Sequence, residues 1–381
     1  MDNFEKELNE NRPTREKESI DFGLFEPHWK DMWWGMPEFV MKDASPQRRI
    51  VMNFMTEEDV KEFAEKLGIR INKRTDSAWY PGQKPLEKNK FEYTGPPEDS
   101  KYPVCIPSKG RADVQTTGKL LDQLGVSYKF FVEETEAEEY IKHLGKNKVV
   151  VMPFHDLGRG SVPARNYIWE WCKKRGFKRH WTVDDNITTF TRCNHNRRLK
   201  VTGGGFFRAM EDFVDRYENI VMAGPHDQGF VRDRSPNHPP YLFNSRIYSC
   251  ILLKTDLPHR WRGRYNEDTD LSLRLLKDGY CTLLFYVLLM NKGKTFDGGK
   301  TKGALKGGNT DNVYNTNDYR KSFAKSLQKQ HPDVVDIVFK FNRWHHQVDY
   351  SKFKRNKPIL KPDITPIKSN DEYGMKLIKR K

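Results

Sequence analysis

Short apolar runs alternate with amphipathic stretches between residues 100 and 290, and this pattern predicts repeated βα units. Runs typical of buried strands occur at 104–106, 128–132, 149–152, 181–183, 220–223, 248–253 and 282–289. Between them, helices are predicted at 135–144, at 161–171, from Asp270 to Gly279, and around Leu120, Leu121 and Leu124. Such units build a mostly parallel sheet with helices on both faces, so the predicted fold class is α/β.

The first 95 residues show a different pattern. Residues 1–18 are charged and polar, which predicts disorder, and residues 19–95 predict a small α+β accessory domain. In that domain, 49–54 alternates like a strand, Thr56 and Asp59 form a capping box, the helix ends at Gly68, and 77–80 suggests a second strand. A linker rich in Pro, Gly and Lys (81–97) precedes the main domain, 100–346, and residues 347–381 form a basic tail.

The charge balance points to a polyanionic partner. The chain carries 67 Lys and Arg against 52 Asp and Glu, a net charge of +15. Residues 351–381 and a Gly/Lys-rich loop at 292–303 concentrate positive charge, which favours phosphates through counterion release. We therefore expect DNA to contact Lys292, Lys294, Lys300 and Lys302. The alternative is that these lysines only solvate the surface.

Composition also narrows the setting. No apolar run approaches the roughly 18 residues that a membrane-spanning helix needs, so no membrane partner is expected. The five cysteines are scattered and odd in number, which indicates reduced, packed side chains and a cytoplasmic location.

A first acidic cluster follows the apolar run 181–183. Asp184, Asp185 and Asn186 lie where carboxylates commonly end a buried strand, and their oxygens suit Mg²⁺ or Mn²⁺. A divalent ion there would neutralise the leaving diphosphate of a sugar nucleotide. Asn186 offers an amide oxygen but no charge, which weakens the predicted metal site. The alternative is an Asx-rich turn that caps the next segment.

A second acidic cluster opens the helical pattern about eighty residues later. Glu267, Asp268 and Asp270 could supply a catalytic base that takes a proton from an acceptor hydroxyl. Asp268 is favoured narrowly over Glu267 as that base. The alternative is helix capping, in which Asp268 or Asp270 accepts bonds from the first N–H groups.

Basic and polar residues after the predicted strands suit a nucleotide-sugar donor. The candidates for donor binding, together with Asp184, are Pro107, Ser108, Lys109, Arg111, Arg159, Arg165 and Asn166. Positive charge at these positions would hold a diphosphate. His345 and His346 are minor candidates for a late metal or phosphate ligand. Gly203, Gly204 and Gly205 follow no predicted strand, so they do not form a dinucleotide fingerprint.

The order of these motifs resembles the GT-A nucleotide-sugar transferases. Ile106 to Arg111, Pro-Ala-Arg-Asn at 163–166, Trp181 to Ile187 and Asn-Glu-Asp-Thr-Asp-Leu at 266–271 carry the likeness, which spans about residues 100–346. More narrowly, the chain resembles the TET-associated glycosyltransferases, which are related to the base-J glucosyltransferases and common in bacteriophages. The resemblance implies ribose and metal contacts for Asp184 and Asp185 and a place near the acceptor for Asp268. Asn186 departs from the usual Asp.

The resemblance and the charge pattern lead to one favoured function and two rivals. The favoured function is transfer of a sugar, most simply from a UDP-sugar, to a hydroxymethylcytosine-like base in DNA. A base within a duplex would have to be flipped out. The rivals are a non-catalytic DNA-binding protein with a degenerate transferase fold, and a glycosyltransferase acting on proteins or glycans.

Overall fold

The computed structural model describes residues 29–41, 47–73, 75, 77–80, 90–231, 238–293, 319–340, 343–367 and 369–380. Its helices are α1 (Trp29–Met32), α2 (Glu57–Leu67), α3 (Thr116–Leu124), α4 (Ala137–Leu144), α5 (Val162–Lys174), α6 (Gly205–Asp215), α7 (Glu267–Lys277) and α8 (Arg320–Gln330). Its strands are β1 (Phe91–Thr94), β2 (Val104–Pro107), β3 (Tyr128–Glu133), β4 (Val149–Met152), β5 (Arg179–Val183), β6 (Ile187–Asn194), β7 (Arg197–Thr202), β8 (Ile220–Asp227), β9 (Tyr241–Phe243), β10 (Cys250–Lys254), β11 (Cys281–Lys292), β12 (Val335–Lys340), β13 (Arg343–Val348) and β14 (Lys376–Lys379).

One mixed sheet forms the centre of the fold. Its order is β14-β1-β7-β6-β11-β8-β10-β5-β2-β3-β4, and β9 also pairs with β11. Strands β5, β2, β3 and β4 run parallel, so their carboxyl ends share one edge of the sheet. Strand β10 is antiparallel to both of its neighbours, β5 and β8. The predicted α/β class is confirmed, with parallel pairing strongest in the β2–β5 half.

The helices cover both faces because the strand side chains alternate between them. In β2, Val104 and Ile106 pack into the core cluster that contains α3, α4 and α6, whereas Cys105 packs with α5 on the other face. Helices α5 and α7 share a second cluster there through Trp169 and Leu271. This layering brings the start of α5 and the start of α7 to the edge where β5 ends.

Two strands predicted in the N-terminal region do not form. Residues 49–54 and 77–80 have no strand pairing, and Ile50 and Val51 are 69% and 80% exposed. Alternation alone cannot make a strand, because a strand also needs a neighbouring strand and a face to bury. The capping box is confirmed: Thr56 and Asp59 exchange both bonds, and α2 ends at Gly68 in the left-handed region.

Segments from both ends of the chain pack on the central sheet. Trp33 is buried and contacts the rings of Phe213, Tyr241 and Phe285. Strand β1 pairs with β7 on one side and with β14 on the other. These residues belong to the predicted accessory domain and the predicted tail, so both regions contribute strands to the sheet of the main domain. Among the described residues, no helix combines the length and the apolarity needed to cross a membrane.

Candidate functional site

The first acidic cluster lies in a turn that is fixed from both sides. Strand β5 ends at Val183, and the Asp184 N–H donates to the Ser249 carbonyl at 2.7 Å, just before the antiparallel strand β10. The Thr117 hydroxyl donates to the Asp184 carbonyl at 2.7 Å and accepts from the Ile187 N–H at 2.9 Å. Because Thr117 is fully buried, it holds the turn that presents the carboxylates at the edge of the sheet.

Arg165 joins the two acidic clusters. Its Nη2 donates to Asp184 Oδ1 at 3.0 Å, and its Nε lies 3.9 Å from Glu267 Oε1. The guanidinium is buried and lies over the ring of Trp261, at 4.8 Å. Ser161, just before α5, donates to Glu267 Oε1 at 2.8 Å. Arg165 therefore brings the two acidic clusters together, and the region around Asp184, Arg165 and Glu267 is called the crevice below. The Nε and Nη1 of Arg165 have no hydrogen-bond partner among the described residues.

Lys292 lies in the same crevice. Its ammonium group donates to Asp184 Oδ2 and to the Ser249 hydroxyl, each at 2.8 Å. Burial would raise the pKa of Asp184, but Lys292 and Arg165 outweigh it, so the pKa lies below its ordinary value. The sequence predicted a DNA contact for Lys292, whereas the structure pairs it with Asp184. Lys294, Lys300 and Lys302 lie outside the described residues.

Asp185 faces the loop after β2, which contains Ser108 and Arg111. The Ser108 hydroxyl donates to Asp185 Oδ2 at 2.6 Å, and Arg111 pairs with Oδ1. The Tyr140 hydroxyl lies 2.7 Å from the Ser108 hydroxyl and accepts from the Arg111 N–H at 3.1 Å. Burial raises the pKa of Asp185 despite the opposing charge of Arg111. Ser108 and Arg111 thus lie beside the first cluster, as expected for a nucleotide-binding edge.

The carboxylate oxygens of the first cluster already have protein partners in this structure. In both Asp184 and Asp185, each carboxylate oxygen has a protein partner. The two partners of Asp184 are the cations Lys292 and Arg165. Within the described ranges, no three His, Cys, Asp or Glu side chains are grouped to hold a metal. The buried Asn186 Oδ1 has no hydrogen-bond partner there and would be one neutral ligand. Arg165 and Lys292 bring two positive charges to this cluster.

The carboxylates of the second cluster have different surroundings. Helix α7 begins after Asn266, whose backbone is left-handed and whose side chain does not cap it. Asp268 Oδ1 accepts from the Thr269 N–H at 2.7 Å, and Asp268 is half-buried. Burial raises the pKa of Glu267, which Arg165 opposes and Asp268 reinforces. Asp268 thus accepts from one of the first N–H groups of the helix, as the capping alternative allowed, whereas Asp270 bonds to side chains.

Asp270 is buried away from the crevice. Arg262 donates to both of its oxygens, at 2.8–3.1 Å, Arg274 donates to Oδ2 at 2.9 Å, and His331 lies 2.9 Å from Oδ1. Its side chain is 4% exposed. Burial would raise the pKa of Asp270, but these partners lower it to about 2. The placement departs from the predicted catalytic role and ties α7 to the end of α8.

The other predicted donor residues are divided. Pro107 ends β2 beside the crevice, and Lys109 pairs with Glu133 at 2.6 Å and with Asp156. Arg159 is exposed in the loop before α5. Asn166 donates to the Trp261 carbonyl and accepts from the Trp261 N–H, both at 2.9 Å, so its amide positions that loop.

The two predicted late ligands lie on strand β13 and point in opposite directions. His345 contacts the Lys340 carbonyl at 3.1 Å, outside the crevice. His346 lines a cavity, and burial lowers its pKa to about 4. They cannot share one metal ion in this arrangement, because successive strand residues face opposite sides.

The cavity that contains His346 was missed by sequence reasoning. It has a volume of about 310 Å³. Its walls come from β8, β11, β13 and the segment before β10, and they comprise His226, Phe230, Ser245, Arg246, Tyr248, Leu284, Tyr286, His346, Val348 and Tyr350. These residues are spread over 125 positions of sequence, so no local motif could have revealed them.

Comparison with known protein families agrees with this geometry. The model of the TET-Associated Glycosyltransferase family matches residues 102–301, just over half of the chain, and includes both acidic clusters. The chain therefore belongs to the TET-associated glycosyltransferase family. Membership implies a glycosyltransferase acting on modified DNA bases. No curated protein matches the chain closely enough to count as a relative.

Proposed function

We propose that the protein transfers a sugar from a nucleotide-sugar, most simply a UDP-sugar, to the hydroxymethyl group of a hydroxymethylcytosine-like base in DNA. The observation that carries this proposal is the position of Arg165. Its Nη2 donates to Asp184 Oδ1 at 3.0 Å, and its Nε lies 3.9 Å from Glu267 Oε1. One cationic side chain thus links the cluster at the end of β5 to the cluster that opens α7. A donor diphosphate and an acceptor hydroxyl can meet at that point.

The donor would lie along the carboxyl ends of β2 and β5. Ser108, Arg111 and Asp185 form a hydrogen-bonded edge suited to the nucleoside, and Arg165 and Lys292 supply two positive charges for the diphosphate. Arginine suits this task because its planar guanidinium bonds phosphate oxygens in pairs. The Nε and Nη1 atoms of Arg165 have no hydrogen-bond partner among the described residues, but both are buried, so a phosphate would reach them only if neighbouring groups moved.

The net reaction forms a bond between the acceptor oxygen and the anomeric carbon of the sugar. The bond from that carbon to the diphosphate oxygen breaks, and its electron pair leaves with the nucleoside diphosphate. The hydroxyl proton passes to the carboxylate of Asp268, which is narrowly favoured over that of Glu267. The charges of Arg165 and Lys292 stabilise the negative charge that develops on the leaving group.

The test is to incubate the protein with hydroxymethylated duplex DNA and a panel of nucleotide-sugars, digest the DNA and measure nucleoside masses. A mass increase of one sugar on hydroxymethylcytosine, and none on cytosine, is expected. Asp268→Asn should lower kcat by roughly 10²–10⁴-fold, the usual contribution of a general base. Asp333→Asn, an exposed carboxylate paired with Lys277, is the matched control and should transfer normally.

Two outcomes would favour the rival functions. Transfer to a protein or glycan, with none to DNA, would identify a different acceptor. Tight DNA binding with no transfer from any donor would favour the non-catalytic alternative. Full activity of Asp268→Asn and of Glu267→Gln would remove both residues from the proposed mechanism.

A further inference from the structure

The cavity lined by His226, Tyr286 and His346 has the chemistry of a base-binding pocket. Aromatic rings make up much of its wall: His226 lies 5.0 Å from Tyr286 in an edge-to-face arrangement and 5.6 Å from Phe230 in a stacked one. Its volume of about 310 Å³ is at the lower end of the range that small ligands occupy. Phe230 is 71% exposed, so an apolar ring stands at the rim.

The polar groups in the wall are few and mostly neutral. His226 Nδ1 lies 3.1 Å from the Tyr248 hydroxyl, and the Arg246 guanidinium lies over the Tyr248 ring at 4.5 Å. Burial lowers the pKa of both His226 and His346 to about 4, so both imidazoles are neutral at pH 7. A neutral aromatic wall with a few hydrogen-bonding groups suits an uncharged heterocycle better than a diphosphate.

The backbone of Asp268, the proposed catalytic base, is tied to the segment that lines the cavity. The Ser272 hydroxyl donates to the Asp268 carbonyl at 2.8 Å and accepts from the Ile247 N–H at 3.3 Å. Ile247 lies in the chain between the lining residues Arg246 and Tyr248. The negative charge of Asp268 also supports the protonated form of Arg246, which has a raised pKa although burial alone would lower it. Asp268 therefore lies beside the cavity wall.

The same segment reaches the donor side. Ser249 follows Tyr248 directly, and its carbonyl and hydroxyl bond the Asp184 N–H and the Lys292 ammonium. Residues 245–249 thus form one wall of the cavity and, at their end, contact the proposed diphosphate site. The cavity and the proposed diphosphate site therefore share this segment.

We propose that this cavity receives the acceptor pyrimidine after it has been flipped out of the duplex, with the aromatic wall that contains Tyr286 and His226 against it and Arg246 at its polar edge. The inference rests on the proposed function, because it deepens the acceptor side of that site. Enzymes that act on a base in a duplex hold the extruded base in such a pocket, by stacking and by hydrogen bonds to its edge.

The test uses Tyr286→Leu, which keeps an apolar side chain, and Arg246→Gln, which keeps a polar one. Each should raise the KM for hydroxymethylated DNA roughly tenfold, as expected when a base contact is lost, with less than about a twofold change in the KM for the nucleotide-sugar. Phe339→Ala is the matched control, because Phe339 is 55% exposed on the hairpin that carries His346 and does not line the cavity. Its KM for DNA should stay at the wild-type value.

A second readout works even without transfer. In DNA that carries 2-aminopurine next to the hydroxymethylcytosine, extrusion of the neighbouring base unstacks the probe and raises its fluorescence. Wild type should give this rise, and Tyr286→Leu should lose most of it. Wild-type KM and wild-type fluorescence for both cavity variants would overturn the pocket while leaving the proposed function intact. If no donor supports transfer, loss of the rise in Tyr286→Leu still supports the pocket, and an unaltered or absent rise overturns it.

Discussion

Asp268 and Asp270 are two residues apart on one helical turn and have opposite surroundings. Asp268 is half-buried, with the Thr269 N–H on one oxygen, beside the cavity. Asp270 is 4% exposed and bonds Arg262, Arg274 and His331. A carboxylate held by three partners is poorly placed to accept a further proton, which its pKa of about 2 reflects. Within one helical turn, the acidic motif thus contains the proposed base, Asp268, and a second carboxylate, Asp270, that anchors the helix.

Asp270→Asn should therefore lower the stability of the protein and not only its rate of sugar transfer. Removing one charge from a buried ionic group leaves its partners uncompensated, so we expect a loss of about 3–5 kcal/mol in the free energy of unfolding, measured by urea denaturation at pH 7. The folded pKa lies below the ordinary 3.8, so this stabilisation is present above pH 4 and disappears as pH falls toward 2. Asp333→Asn, which breaks a more exposed pair with Lys277, should cost about 1 kcal/mol or less. Equal losses in the two variants would contradict the anchoring role.

Lys292 provides a second residue-scale prediction. Its ammonium bonds Asp184 at 2.8 Å, where a metal-dependent site would keep the carboxylate available for the ion. Lys292→Ala should lower kcat by roughly 10²–10³-fold, because one preorganised charge on the leaving group is lost. Chelation with EDTA should leave most of the wild-type rate. A rate that EDTA abolishes and Mn²⁺ restores would instead support the metal that the sequence predicted.

At the scale of elements, the glycines between β7 and α6 fix how three chain segments pack. A Cβ on Gly204 would lie 1.8 Å from the Glu98 carbonyl oxygen, and one on Gly205 would lie 2.1 Å from the Tyr373 carbonyl oxygen. The sequence pattern predicts no strand before these glycines, whereas β7 ends at Thr202, directly before Gly203. They allow close backbone approach, which is a packing role.

Gly204→Ala tests this role. Gly204 has a φ of −66°, so alanine fits its backbone conformation and the predicted cost is purely steric. We expect a loss of roughly 3 kcal/mol, the upper end for overpacking, or failure to fold. Gly68→Ala is the control: it has open space and a left-handed backbone with a φ of +61°, so only local strain of about 1–2 kcal/mol is expected. Thermal unfolding of the two variants gives the comparison, and a milder effect at Gly204 would argue against the packing role.

The elements also show what the sequence could reveal. Strands β2, β3, β4 and β5 were found because buried parallel strands are short, continuous apolar runs bounded by turn residues. The hairpin β6–β7 was missed because Ile187–Asn194 and Arg197–Thr202 mix polar residues with buried ones. The carboxylates of the site could be predicted from their position after such runs. Their partner Lys292 and the aromatic cavity could not, because only the folded chain brings them together.

At the scale of the whole molecule, the two ends of the chain complete one sheet edge. Strand β14 pairs with β1, Met375 is buried in the main core, and Glu372 pairs with Arg192, whose side chain is 1% exposed. The Glu38 N–H also donates to Glu372 at 2.7 Å. The region expected to be a basic tail thus neutralises a buried guanidinium and covers apolar surface.

Removal of residues 371–381 should consequently destabilise the fold and not only weaken DNA binding. It would leave the buried Arg192 without Glu372, a loss of about 3–5 kcal/mol on the scale of broken buried ion pairs, and would expose the Met375 site. Urea denaturation should show this loss. The contrasting variant is Lys376→Gln/Lys379→Gln, which changes two exposed residues of β14 and keeps Glu372 and Met375. It should unfold like wild type, and its binding to plain DNA should show a salt dependence shallower by up to about 1.8 in log K against log salt if both lysines contact phosphates. If the truncated protein instead kept wild-type stability and lost only DNA affinity, this end of the chain would be a DNA-binding arm with no part in the fold.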